Sequence, residues 1–299
     1  MDFKINPKDG IVMRKKIIEK GMSVVFLITA CVSILAVLLI CLFLFINGIP
    51  AIAEVGVFKF LFGTKWAPTA EVPSFGILPM IVGSFYVTGG AIVIGVPLGV
   101  LTSVYLAKFC PKKAYKFIKP VVELLAGIPS IVYGFFGMAV MVPFIRDYLG
   151  GNGNSMLTAS ILLGIMILPT IVGISEAALR AVPESYYEGA LALGATHERS
   201  VFFAVLPAAK SGILSAVILG IGRAIGETMA VIKVAGNQAM MPDGLLSGVR
   251  TMTANIVIEM GYSADLHREV LIATGVVLFV FILILNMCFS ILNSKKRCQ

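Results

Sequence analysis

Apolar stretches without a single charge dominate the pattern of this chain. Residues 21–53, 72–107, 124–145, 148–175 and 270–294 contain no Asp, Glu, Lys or Arg. Each is longer than the roughly 20 residues that a helix needs to cross the hydrocarbon core of a bilayer. A sixth apolar segment, 212–235, is as long but carries Arg223, Glu227 and Lys233. The alternation of a membrane barrel, in segments of about 10 residues, is absent. The pattern therefore predicts an all-α integral membrane protein. About six transmembrane helices are expected, near 22–47, 76–107, 124–145, 156–179, 211–235 and 269–293. Basic residues precede the first stretch, but it is too long for a signal peptide and ends without a small-residue cleavage pattern, so it reads as a retained span.

Composition agrees: 58% of the 299 residues are hydrophobic and only 13% charged, against about 25% in soluble domains. The placement of Lys and Arg fixes the orientation. The segment 1–21, the loop after the second span, the loop after the fourth and the C-terminal end together hold 17 of them, and the opposite side holds five. Positive residues stay inside, so both termini are expected in the cytoplasm, with 1–21 as a basic cytoplasmic arm. Topology and anionic lipid account for the net charge of +8, and no nucleic-acid partner is needed.

Between the spans the sequence is punctuated. The second span contains Gly89, Gly90, Gly95, Pro97 and Gly99, which suit close packing. A basic loop with Pro111 and Pro120 leads to the third, where Pro129 interrupts the helix near the membrane surface. The aromatics of segment 48–75, Trp66 among them, suggest an interfacial position. The charged residues of loop 236–268 (Asp243, Arg250, Glu259, Asp265, His267 and Arg268) read most simply as solvated. The cytoplasmic loop 183–207 is different. Pro183 suits a first helical turn, residues 184–193 favour helix, Gly194 suits a stop, and Thr196 can cap a second short helix that runs to Leu206 and Pro207. Such a pair either lies on the membrane or docks a partner.

Chemistry enters in the fifth span. Arg223 falls near its middle, and Glu227 lies one turn later on the same face of a continuous helix. A charge at the bilayer centre costs about 2.5–3.5 kcal/mol, so both residues must face protein or a wet cavity. Either Arg223 lines an anion route with Glu227 holding or gating it, or the two form an internal ion pair that fixes packing. The planar guanidinium suits oxyanions. Gly222 and Gly226 form a small-residue pair, extended by Ala216 and Gly220, that lets another helix approach.

Enzyme signatures are missing. No Walker A motif, nucleophile elbow or His-Glu-x-x-His is present, and His197 and His267 fall on opposite sides of the membrane. The five cysteines lack metal-ligand spacing and read as unpaired. No metal or cofactor is expected.

The loop carries a resemblance. Glu188-Gly189-Ala190, three residues, Gly194, nine residues and Ala204-Val205-Leu206-Pro207 resembles the EAA signature of bacterial ABC-importer permeases, with Gly189 in place of Ala and Ala204 in place of Ile. Trp66-Ala67-Pro68, Phe75 to Pro79, Leu125 to Gly134, Ile167 to Thr170, Gly222 to Val231 and Val249 to Ala254 are similar to the PstC family of phosphate permeases. The resemblance covers nearly the whole chain. It implies the type I ABC importer permease (MetI-like) fold. It implies a second, PstA-like permease subunit, a PstB-like ATPase dimer and an external PstS-like phosphate-binding protein. It makes 183–207 the coupling loop, with Glu188, Gly189, Ala190, Gly194, Leu206 and Pro207 facing the ATPase, and it associates Arg223 and Glu227 with transport. Sulfate or molybdate remains an alternative substrate. A channel or secondary carrier that works without an ATPase is the alternative from another class.

Overall fold

The computed structural model describes the backbone of residues 7–294 and the side chains of 19–288 and 291. Most of the expected N-terminal arm, and the basic C-terminal residues, lie outside the described side chains. From Pro7 the backbone is already helical, so that α1 runs from Pro7 to Val55.

After α1 come the short α2 (Val57–Phe62) and a two-residue hairpin, β1 (Trp66–Ala67) with β2 (Ser74–Phe75), paired antiparallel with Trp66 opposite Phe75. α3 (Leu78–Val104) ends in a wide π-helical turn, Tyr105–Phe109. α4 (Lys112–Gly127), α5 (Ser130–Phe136), a π-helical turn at Gly137–Met141 and α6 (Val142–Leu149) follow. α7 (Met156–Arg180) is continuous. The cytoplasmic loop forms α8 (Glu184–Ala192), α9 (His197–Ser200), a third π-helical turn (Val201–Val205) and α10 (Leu206–Ala208). α11 (Lys210–Gly226), α12 (Met229–Val234), α13 (Met252–Glu259) and α14 (Asp265–Ser294) complete the chain. Among the described residues, five segments are long and apolar enough to span a membrane; the bent pair 197–208 and 210–226 reaches that length only when its two arms are taken together.

Each π-helical turn stops two residues before a proline: Pro111, Pro143 and Pro207. A proline has no N–H to give to the carbonyl four residues back, and its ring crowds that carbonyl. Widening the preceding turn by one residue relieves the crowding.

α3 and α7 form the central pair. A Cβ at Gly95 would sit 2.7 Å from Ile167 Cγ1, and one at Gly99 would sit 2.8 Å from Ile171 Cγ2, so only glycine permits this approach. α11 lies against the same helix through Ala216, Gly220 and Ala224, all buried. The N-terminus of α7 is satisfied from outside its own helix. Met156 N–H donates to the Ser247 carbonyl (2.9 Å), Leu157 N–H to that of Leu245 (3.0 Å) and Thr158 N–H to Ser155 Oγ (3.2 Å). The first N–H groups of a helix have no internal partner, and the 236–250 loop supplies it here.

Three expectations are corrected. The third span is not 124–145. Ile128 is extended (ψ 126°), because a residue before proline is pushed out of the helical region, and Pro129 after it is extended as well (ψ 140°). The span is instead Ser130–Leu149, and the expected basic loop before it is the amphipathic α4. There the Tyr115 hydroxyl and Lys119 Nζ each reach Glu176 of α7 at 2.8 Å, with Arg180 Nε on the same carboxylate at 2.8 Å. That hydrogen bond, then burial, raises the Tyr115 phenol above its ordinary range. The fifth span is not one helix over 211–235, because it breaks at Glu227. Finally, the Trp66 side chain is not at the protein surface: it is buried in a core that includes Phe60, Phe75, Ile77 and Met252, while Phe58 and Phe62 of the same segment are exposed.

Candidate translocation site and docking loop

α11 stops at Gly226. Glu227 is extended (φ −71°, ψ 128°) and Thr228 is also non-helical, after which α12 begins. The break has a local cause. Glu227 Oε1 accepts from the N–H groups of Thr228 (3.1 Å) and Ala230 (3.2 Å), so the carboxylate satisfies the start of α12 in the way a capping side chain does. Glu227 is therefore not one turn after Arg223 on a shared helical face. Arg223 Nη1 donates instead to Thr170 Oγ1 at 3.2 Å, across to α7. Neither Arg223 nor Glu227 forms a salt bridge among the described residues. The internal ion pair is absent. What stands here is a partly exposed guanidinium with one neutral partner and most of its donors free.

Within the described residues of this chain, Gly222 and Gly226 pack against no other helix. A Cβ at either would meet nothing within 4 Å, and both are exposed. Ala216 and Gly220 form the seam against α7 instead, which leaves the glycine face beside Arg223 open. Lys233 lies with Nζ 5.1 Å from the centre of the Phe135 ring.

At the cytoplasmic end, α8 closes as its sequence predicts. Gly194 adopts φ +84°, its N–H donates to the Leu191 carbonyl (2.8 Å), and Ala195 N–H donates to that of Ala190 (3.1 Å). This is a glycine-dependent helix stop. Thr196 then caps α9 through Arg199 N–H at 3.4 Å. Hydrogen bonds from the Glu198 backbone N–H and from Thr196 hold the Glu198 carboxyl below the usual carboxylate range. His197 Nδ1 lies 2.7 Å from the Tyr187 hydroxyl, and its ring sits edge-on to Phe109 at 4.7 Å. Lys108 pairs with Glu184 at 3.4 Å. These contacts, with the buried Val104, Leu179, Val182, Val201 and Val205, bind the loop to α3 and α7. Glu188, Gly189, Gly194 and Pro207 are exposed, Ala190 and Leu206 half-buried, and Leu193 is 91% exposed. The loop thus presents a solvent-facing surface on a firmly held base. It joins α11 through a bend of 69° at Ala209.

Residues 95–297 match the family described as the inner membrane component of binding-protein-dependent transport systems. This chain belongs to that family. It is 37% identical over 278 residues to a probable ABC transporter permease, YqgH of Bacillus subtilis, covering 91% of this chain and 90% of that protein. It is 36% identical to the phosphate transport system permease protein PstC of Mesorhizobium japonicum, covering 79% and 78%. Among solved structures, the inward-facing MetNI methionine ABC transporter is similar with a TM-score of 0.55 and 22% identity, covering 74% of this chain and 94% of that one. At that identity the likeness establishes the fold, which is the type I importer permease fold. The chain is thus an all-α, multi-pass inner-membrane transport component.

The sequence missed one cluster. Arg250, Glu259 and His267, expected in water, are largely buried around Trp66. Glu259 accepts from Arg250 Nη1 and lies 2.8 Å from His267 Nε2, and Trp66 Nε1 donates to both its oxygens at 3.0 Å. Asp243, Asp265 and Arg268 are exposed as expected. No sequence period could have flagged the set, because its members lie in loops and helix ends up to 201 positions apart.

Proposed function

We propose that this chain is the PstC-type permease subunit of an ATP-driven phosphate importer, supplying half of the translocation path and one docking loop. The observation that carries the reading is Arg223, a cation within a membrane span that among the described residues is held by Thr170 alone and lies next to an open glycine face. Such a group is costly in lipid and is retained where it meets an anion or a wet path. The relatives named as phosphate permeases support the choice of anion.

The mechanism follows from how the segments are joined. A PstA-like permease subunit would cover the open face of α11 and close the path. A PstB-like ATPase dimer would receive α8, with Glu188, Gly189, Ala190, Gly194, Leu206 and Pro207 at the contact. ATP hydrolysis belongs to that partner. A PstS-like binding protein would deliver phosphate on the opposite side. Because α8 to α10 pack on the core and continue into α11 at Ala209, movement of the docking loop tilts the helix that carries Arg223. Glu227 keeps its charge, and two backbone N–H groups hold its carboxylate at the start of α12.

Purification of the tagged chain with its companions tests the assembly: an ATPase and a second permease should co-purify. In proteoliposomes, phosphate uptake should require ATP and the binding protein, and excess sulfate or molybdate should not compete. Competition by either anion selects the other oxyanion, and uptake without an ATPase selects a channel or carrier.

A further inference from the structure

The buried external cluster has a geometry that bears on the break at Glu227. The Glu259 carboxylate receives donors from three separate segments: Trp66 of the hairpin, Arg250 of the 236–250 loop and His267 in the first turn of α14. Arg250 does not stop there. Its Nε donates to the Asn237 carbonyl at 2.9 Å, and Asn237 Nδ2 donates to the Ile232 carbonyl at 2.8 Å, near the end of α12. The other end of α12 is reached by the same short rod. α13 begins with Thr253 Oγ1 donating to the Glu227 carbonyl at 3.2 Å, and it ends at Glu259 itself. One two-turn helix therefore touches the break at one end and holds the hairpin at the other.

We propose that Glu259 is a positioning residue for transport, tying the external hairpin and the head of the last span to both ends of α12, so that displacement of the hairpin is carried to the break at Glu227. The proposal rests on the path and the partners proposed above. Energetics favour a positional role over plain stabilisation. A buried carboxylate loses its hydration, and well-packed apolar side chains commonly stabilise a core as well or better. What directional bonds add is a fixed orientation among segments that apolar surfaces would let slide. Glu259 is 5% exposed, so a shift of any donor must be followed by its carboxylate or cost one of its buried hydrogen bonds. Either outcome moves or loosens α13, and with it the Thr253 contact to Glu227.

The test uses the full complex in proteoliposomes, with the five native cysteines replaced and a Met229→Cys reporter beside the break; Met229 is exposed. The rate of thiol labelling is measured with and without the phosphate-loaded binding protein. With Glu259 intact the rate should change on binding. With Glu259→Gln, assembly and basal ATPase activity should hold within twofold while the binding-protein-dependent change shrinks at least fivefold. Arg250→Lys, which keeps a cation but loses the Nε link to Asn237, should shrink it similarly. A labelling response that survives Glu259→Gln in assembled complexes overturns the proposal, as does a lower yield of complexes that each respond normally. A reporter indifferent to the binding protein even with Glu259 intact also overturns it, since no displacement is then carried. If Glu259→Gln fails to assemble, Trp66→Phe, which keeps the ring and removes its N–H, decides by the same readout. Wild-type uptake by Arg223→Gln would sink the path and leave this labelling comparison standing.

Discussion

Replacing Arg223 by glutamine removes a positive charge from the fifth span and leaves a shorter, neutral polar side chain. The cost divides cleanly between folding and transport. For folding, the guanidinium has a single neutral partner at 3.2 Å and is only partly buried. Substitutions at such positions stay within about 0.5 kcal/mol, so the complex should assemble at normal yield. For transport along the proposed path, the group removed is a charged donor to the anion. A hydrogen bond to a charged group contributes about 1.5–3 kcal/mol, and every 1.4 kcal/mol is a factor of about ten. Uptake should therefore fall by about 10- to 150-fold. The assay is labelled phosphate uptake into proteoliposomes, with basal ATPase activity measured in parallel. Arg223→Lys should recover part of the rate, since it restores charge but not the planar fork. Uptake by Arg223→Gln within twofold of the unsubstituted protein would refute the role of this residue in the path.

Other positions give independent checks. Gly189→Ala in α8 meets open space and lies in helix; it should stabilise α8 by about 0.5–1 kcal/mol, read as greater amide protection across 184–192, whereas reduced protection would mean the site needs glycine. Gly194→Val forces a β-branched residue to φ +84°; it should cost at least about 1–2 kcal/mol, lower the affinity for the ATPase and uncouple hydrolysis from uptake, and unchanged stimulation would remove the docking role. Glu188→Lys, exposed on the same surface, should weaken ATPase binding with no change in the thermal midpoint of the isolated chain. Gly95→Val would place side-chain atoms against Ile167 at the α3–α7 contact; overpacking of this kind costs about 1–3 kcal/mol, and the midpoint should drop while Arg223 chemistry in surviving complexes is unaltered.

Long charge-free runs made the spans legible because the bilayer punishes any exception. The helix stop in the loop 183–207 was legible because it needs a residue tolerant of positive φ, and Gly194 supplies it. The surroundings of Arg223 and Glu227 were not legible. Arg223 and Glu227 stand four apart in sequence, which on a helix means neighbours, yet the Glu227 carboxylate bonds to N–H groups ahead of it and ends the helix there. Propensity favours a continuous helix across 211–235, and a local side-chain bond overrides it. The third span began late for a related reason: the charge pattern continues through 124–129 but the backbone before Pro129 cannot. Glu259 and its donors were illegible because buried polar clusters are defined by tertiary contact, and their members look like ordinary loop charges one at a time.

The position of α1 has a consequence for how the protein is made. Every side chain from 19 to 40 is exposed, and the main helical partner of α1 is α14, through contacts such as Phe45 on Phe279 and Gly48 against Val276. α1 thus leans on a helix that follows it by more than 200 residues. While those residues are being synthesised, α1 must remain in the bilayer without this partner, kept there by its own apolarity. Its docking waits for α14, and a chain truncated before α14 should leave α1 untethered even where the α3–α7 core has formed.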